Sequence, residues 1–408
     1  MGEKFEFVVG GLCAPKGFRA SGVHCGIRKN KEKKDLALVV SDVLCSAAAI
    51  YTQNKVKGAP ILVTKKNLQN GKAQAVIANS GNANTCNADG EEKAQMMCDL
   101  CAEATGVCAN DVIVASTGVI GQVLPIEPIQ NAMPALVGAL TGENSLDASE
   151  AILTTDTRRK EYAVAFSLGG KPCVVAGMAK GSGMIHPNMA TMLCFLTTDA
   201  AIEPALLQKA LKEVSDDTFN MVSVDGDTST NDMVSILASG LAGNEPIAQE
   251  GEDFKAFCQA LYILLEKLSK DIAGDGEGAT RLLECVVTGA VDKKNAKVIA
   301  KSVITSSLFK AAMFGADANW GRVLCAIGYA EADLDITKVA VSFESRAGHI
   351  DVCKNGAGIA FSEDEAKKIL LEDEIRILIA LGDGDASATA WGCDLTYDYV
   401  KINGDYRT

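Results

Sequence analysis

The stretch of this 408-residue chain with the most chemical potential is Lys180-Gly-Ser-Gly-Met-Ile-His-Pro-Asn-Met-Ala190-Thr191-Met-Leu-Cys-Phe-Leu196. A glycine-bearing turn, read as flexible, leads to a small residue, Ala190, then to a hydroxyl, Thr191, then to an apolar run. Attack of the Thr191 hydroxyl on the Ala190 carbonyl gives an ester and, after hydrolysis, a new N-terminus at Thr191. Such a threonine is nucleophile and base at once, because a freed α-amine titrates near ~8 and accepts the hydroxyl proton. Taken alone, a threonine opening a strand is an ordinary β-branched residue. Its company shifts the reading.

Acyl transfer needs donors aimed at an oxyanion. Val114-Ala-Ser-Thr117-Gly118-Val-Ile-Gly121 is a strand entering a small-residue turn, where the Thr117 hydroxyl and the Gly118 N–H can point at one oxygen. Only three histidines compete as bases: His24, His186 and His349. His186, with Pro187 between it and Thr191, reads as a loop residue or an exposed one, which leaves the α-amine as the better base. Asp225-Gly-Asp227-Thr-Ser-Thr-Asn231-Asp232 has the opening of a calcium loop. Thr230 and Ile236 stand where that loop needs Gly and Glu, so a loop that braces a site or merely caps a following helix is preferred and no metal site is expected. Asp275-Gly-Glu277-Gly278 sets carboxylates on a glycine-rich turn, either to meet an amine or as a solvated helix end. Asp317-Ala-Asn319-Trp320-Gly-Arg322 reads as an anchor.

The elements that must hold these residues alternate. Leu36–Val43, Ile61–Thr64, Ala75–Ala78 and Val112–Ala115 read as strands, and 91–104, 126–139 and 145–152 as helices. A hairpin over 161–168 and 173–178 turns at Gly169-Gly170, and 192–196 is a buried strand. Helices follow at 203–214, 253–272, 302–313 and 363–370, with strands at 284–288, 339–342 and 375–381. This is an α/β (α+β-like) fold of two intermingled lobes, with largely antiparallel sheets covered by helices and a junction near Thr191.

A net charge of −13 argues against nucleic acid. No run of 18 apolar residues argues for a membrane span. The opening Met-Gly-Glu-Lys-Phe lacks a signal-peptide pattern, so the cytoplasm is expected. Fourteen scattered cysteines read as free, mostly buried thiols, Cys98-x-x-Cys101 included.

Seven motifs in chain order carry a resemblance. They are Ser116-Thr117-Gly118, Thr154-Thr-Asp156-Thr157, Gly177-Met-Ala-Lys180-Gly-Ser-Gly-Met184, Ala190-Thr191-Met-Leu193, Asp225 to Asp232, Gly274-Asp-Gly-Glu277-Gly-Ala-Thr280 and Asp317 to Arg322. Together they resemble the ornithine acetyltransferase family of arginine biosynthesis, some of whose members also have N-acetylglutamate synthase activity. The resemblance spans essentially the whole chain.

It implies an N-terminal-nucleophile-like enzyme that cuts itself between Ala190 and Thr191 into an α chain, 1–190, and a β chain, 191–408. Thr191 would be the nucleophile, with Thr117 and Gly118 stabilising the oxyanion. Thr154, Lys180, Thr191, Glu277, Asn403 and Thr408 would bind substrate. N2-acetyl-L-ornithine would acetylate Thr191 and L-glutamate would take the acetyl group in a ping-pong cycle. The family implies an α2β2 tetramer with no metal or organic cofactor, acetyl-CoA being an additional donor in some members. Ser182 stands where members often have alanine, a small-for-small change. The competing readings are an N-terminal-nucleophile aminopeptidase or amidohydrolase, which passes the acyl group to water, and a non-catalytic small-molecule binding protein.

Overall fold

The computed structural model describes residues 5–186 and 192–404. The Ala190–Thr191 bond and Thr408 lie outside the described residues.

Strands Leu193–Thr198, Lys171–Lys180 and Met233–Ala238 are apolar at most positions and buried along most of their length, because both faces of their sheet are covered. Val175, Ala179, Cys194 and Leu196 face one core, while Met178, Leu193 and Phe195 face another. The sheet has nine described strands. Its main path runs from Glu6–Val8 through Lys160–Leu168, Lys171–Lys180, Leu193–Thr198, Met233–Ala238, Leu36–Tyr51 and Lys72–Asn82 to Val112–Val119, and Phe18–Val23 pairs with Leu36–Tyr51. Most neighbours are antiparallel. Leu193–Thr198 with Met233–Ala238 and Lys72–Asn82 with Val112–Val119 are parallel.

A seven-stranded sheet from the C-terminal half is likewise mixed. Helix Glu252–Gly274 lies between the two. It packs on Lys160–Leu168 and Lys171–Lys180 of the first sheet and on Leu282–Ala290 and Ala386–Cys393 of the second. Residues from 48 to 393 share that one core. The architecture is the expected mixed α/β one with intermingled cores.

Gly169 and Gly170 both take positive φ, as a two-residue hairpin turn between strands requires. Two element assignments are corrected. Ile61–Thr64 is not a strand but part of helix Ala59–Asn67, with Pro60 in its first turn. Its Thr64 hydroxyl donates to the Val114 carbonyl at 2.8 Å and accepts the Val114 N–H at 2.9 Å, which docks the helix on the Val112–Val119 strand. The helix read over 302–313 is two, Lys293–Thr305 and Ser307–Phe314. They break at Ser306, whose extended backbone and hydroxyl cap the second.

All fourteen cysteines are free. Burial pushes the Cys98 and Cys101 thiols up to about 12, so they are packing groups rather than thiolates. Among the described residues no helix is long and apolar enough to cross a membrane, and no cluster of three potential metal ligands forms.

Candidate active site

Thr117 and Gly118 close the Val112–Val119 strand, where its pairing with Lys72–Asn82 slips at Gly81 and Asn82. Gly118 has φ +135°, and a Cβ there would lie 2.4 Å from the Gly81 carbonyl carbon and 2.5 Å from the Asn82 nitrogen. Only glycine lets the two strand ends come this close. Lys180 ends the neighbouring Lys171–Lys180 strand, and its ammonium reaches the Thr117 hydroxyl at 3.4 Å. Thr154 follows helix Leu146–Ala151, Glu277 follows helix Glu252–Gly274, and Asn403 belongs to helix Tyr397–Gly404.

These six side chains and backbones, from five separate parts of the chain, line one cleft of about 130 Å³. All the site residues expected from the sequence that lie among the described residues therefore meet there. The described chain resumes after Thr191 at Met192. Its carbonyl accepts the Met233 N–H at 2.9 Å, and its Cβ lies 3.4 Å from where a Cβ on Gly181 would stand.

The floor is a buried ion network. Lys160 lies 2.8 Å from Asp156 and 2.5 Å from Asp275, all three side chains being almost wholly enclosed. Asp156 also accepts the Thr154 N–H at 3.0 Å and the Gly181 N–H at 2.7 Å. It thus joins the Thr154 loop to the strand end that carries Lys180. Burial alone would raise the Asp156 carboxyl. Lys160 and Lys180, with the Thr154 N–H, outweigh burial and hold it well below the usual carboxylate range. Burial, with Lys160 and Arg28 adding like charge, pulls the Lys180 ammonium below the ordinary lysine range, while Asp156 and Asp232 oppose that pull. Asp275 is neither a solvated helix end nor a free amine ligand, because it is committed to Lys160 and to the Thr157 N–H at 3.1 Å.

The glycines of Gly181-Ser-Gly183 let neighbouring side chains come close. A Cβ on Gly183 would sit 2.4 Å from the Glu277 carboxyl carbon, and one on Gly181 2.9 Å from Ile185. Glu277 accepts from the Asn403 amide at 2.7 Å. The helix carrying Asn403 is docked by Tyr399, whose hydroxyl donates to Asp225 at 3.3 Å. Asp225 in turn accepts the Met184 and Ile185 N–H groups at 2.6 and 2.9 Å, holding Met184 at φ +56°.

Asn231 braces the opposite wall. Its amide donates to the Ala83 and Ser116 carbonyls at 2.6 and 3.0 Å, and its oxygen accepts from Thr85 and Thr230 at 2.6 Å each. Of the two readings of Asp225 to Asp232, the bracing loop holds, and no helix follows for it to cap, since strand Met233–Ala238 comes next.

His186 does not line the cleft. It is half-buried, 3.1 Å from the Ser223 hydroxyl, and burial followed by Lys301 lowers it to about 4. Asn319 caps helix Trp320–Gly328, and Arg322 donates to the Leu308 carbonyl at 2.6 Å, so that motif is an anchor. Sequence reasoning missed Lys160 and assigned no role to Asp156. The only trace was Asp156 and Asp275 standing inside quoted motifs.

A small polar cleft, in which a buried ammonium and a carboxylate share the walls with hydroxyls and a glycine bulge, marks this mixed α/β protein. The ArgJ family model matches residues 19–408. The chain is 50% identical over 392 residues to the "Arginine biosynthesis bifunctional protein ArgJ 1" of Clostridium acetobutylicum, covering 96% of each. It is 50% identical to the ArgJ protein of Symbiobacterium thermophilum, covering 99% of this chain and 100% of that one. A solved ArgJ structure from Bacillus halodurans is 46% identical with a TM-score of 0.49, over 52% of this chain and 97% of that one. The chain belongs to the ArgJ family, the ornithine acetyltransferases of arginine biosynthesis.

Proposed function

We propose that this enzyme is a glutamate N-acetyltransferase that moves acetyl from N2-acetyl-L-ornithine to L-glutamate through an acetyl-Thr191 ester. Self-cleavage between Ala190 and Thr191 first yields chains 1–190 and 191–408. The observation that most supports this reading is the convergence of Thr117, Gly118, Thr154, Lys180, Glu277 and Asn403 on one small cleft. The freed α-amine takes the Thr191 hydroxyl proton as the oxygen attacks the acetyl carbonyl. Thr117 and Gly118 meet the developing oxyanion, the proton passes to the leaving amine, and ornithine departs. Glutamate's amine then attacks the ester, and Thr191 recovers its proton.

Lys180 meets a substrate carboxylate and Glu277 a substrate ammonium, a matched pair for two amino acids that share those groups. Thr154, Asn403 and Thr408 complete the binding site. Nucleophile, base and oxyanion donors all belong to the chain, so the cycle uses no metal or organic cofactor. The working form is an α2β2 assembly in the cytoplasm.

The test is mass spectrometry of denatured protein together with a donor assay. The expected result is two chains split before Thr191, one intact chain for Thr191→Ala, and acetyl release from N2-acetylornithine that requires glutamate. Equal release into water would make the enzyme an amidohydrolase. An uncut wild-type chain would remove Thr191 from its role.

A further inference from the structure

Asp232 is a carboxyl to which the cycle gives no work. It directly precedes strand Met233–Ala238 and is 2% exposed. Among the described residues, its Oδ2 atom is buried and has no hydrogen-bond partner. Buried polar atoms are rarely left bare, because desolvation without a compensating bond is costly, so this oxygen calls for a donor. Burial pushes the carboxyl well above the usual range, with Ser229 and then Lys180 opposing the rise.

Its place in the sheet says which donor. Leu193 pairs with Lys180 on one side and with Met233 on the other, so the three stand at one level. The Met233 N–H is bound to the Met192 carbonyl at 2.9 Å. Asp232 precedes one end of that bond in the chain, and Thr191 precedes the other. On the same loop, Ser229, Thr230 and Asn231 line the cleft, and Asn231 is tied to the Ser116 carbonyl beside Thr117. Asp232 thus stands directly behind a cleft wall.

The groups around it leave that oxygen open. The Lys171–Lys180 strand contributes the charge of Lys180. Thr52, after strand Leu36–Tyr51, donates its N–H to the Asp232 carbonyl at 3.0 Å, and Met192 leads the strand on the other side; neither carries charge. The other carboxylates of the site have partners. Asp156 and Asp275 share Lys160, Asp225 takes Met184, Ile185 and Tyr399, and Glu277 takes the Asn403 amide.

Uncut, the Thr191 nitrogen is an amide with one hydrogen. Cut, it is an amine, and on taking the hydroxyl proton it becomes an ammonium with three. An ammonium formed in a cleft that already holds Lys180 needs an acceptor and a counter-charge. Building on the acetyl-Thr191 reading, we propose that Asp232 is a positioning residue whose open carboxylate oxygen takes the freed α-amine of Thr191. As the amine accepts the hydroxyl proton, the carboxylate balances the new ammonium. As that proton passes to the departing ornithine, the amine returns to neutral and keeps its hydrogen bond. Asp232 neither gains nor loses a proton over the cycle.

The experiment uses the full chain, with Asp232→Asn and Asp232→Ser as uncharged variants and Asp232→Glu as the one that keeps the charge. Mass spectrometry reads self-cleavage, and the pH profile of kcat/KM is measured for N2-acetylornithine with glutamate as acceptor. Both uncharged variants are cut before Thr191, and where one does not fold the other decides. Their kcat falls by about tenfold or more with KM within about twofold. The acid limb of the profile moves to lower pH by about one pH unit, since an amine without its counter-charge is the weaker base. Asp232→Glu returns the limb to its wild-type place. A limb that stays put in the uncharged variants makes Asp232 a packing residue and overturns the proposal. Loss of cleavage in both, or a limb that Asp232→Glu does not restore, overturns it as well. Failure of wild type to be cut or to use N2-acetylornithine instead overturns the acetyl-Thr191 reading on which it rests.

Discussion

Beneath the cleft, Lys160 is sealed from solvent and held between Asp156 and Asp275; beside the cleft, Lys29 and Lys33 stand exposed and, among the described residues, without an ion-pair partner. The same side-chain type does opposite work in the two places. In the floor, each charge is matched and desolvated, so it fixes the Thr154 loop, the Lys180 strand end and the Glu277 turn relative to one another. Beside it, charge is left open to solvent, where it stabilises little but attracts an incoming anion. Position comes from buried charge and reach from exposed charge.

The hardest test of that contrast is Lys160→Met. It leaves two buried carboxylates without their shared cation, and the expected loss is about 3–5 kcal/mol of stability. Urea denaturation reads it directly. A loss under ~1 kcal/mol would mean that Lys180 alone balances Asp156. Lys29→Glu/Lys33→Glu should by contrast leave Tm within about 1–2 °C.

Next in size is Gly118→Ala. With φ at +135° and backbone atoms 2.4–2.5 Å from the new Cβ, the strand ends must part. The expected cost is about 1–3 kcal/mol in stability. Alanine keeps its backbone N–H, but the parted strand end carries that N–H off the proposed oxyanion position, which should slow the acetyl transfer by up to roughly 10²–10³. A full rate with lowered stability would make Gly118 a packing residue only.

Gly183→Ala meets first the far end of a flexible side chain rather than backbone, since the atoms nearest the new Cβ are those of the Glu277 carboxylate. Glu277 moves and the fold does not. The expected outcome is about a tenfold fall in kcat/KM for N2-acetylornithine with Tm nearly unchanged. An equal fall in both quantities would show that Glu277 holds the fold.

These three positions also mark what the sequence could reveal. Gly118 and Glu277 were legible because they sit in motifs beside reactive residue types. Lys160 was not, because its partner Asp275 is 115 residues away and no periodicity links them. The loop over 28–34 was hidden by the overall acidity, which averages over the place where five cations gather. Regular elements with one apolar face were read well, as for helix Glu252–Gly274. Ile61–Thr64 misled because an Ile-Leu-Val-Thr run has strand propensity. Pro60 in a helical first turn and the Thr64–Val114 hydrogen bonds overrode that propensity. Met233–Ala238, a central strand pairing with Leu36–Tyr51 on one side and Leu193–Thr198 on the other, carries no turn signal of its own and emerged only from the sheet.

His186 tests the boundary between the two regimes, being half-buried and without the matched partner that Asp156 has. Burial, then Lys301, lowers its imidazole from 6.5 to about 4. Between those values the unfolded chain binds a proton that the folded chain does not, so stability falls with decreasing pH across that window and is level above it. Asp156 has the same sign in a lower window. Its carboxyl is held below the ordinary 3.8, so its contribution persists above that value and is lost only as pH falls further. Subtracting the Tm–pH curve of His186→Gln from that of wild type should leave a slope confined to pH 6.5 to 4. A slope in the difference curve below 3.8 instead would mean that removing the imidazole disturbs the floor network, and that the two regions are coupled.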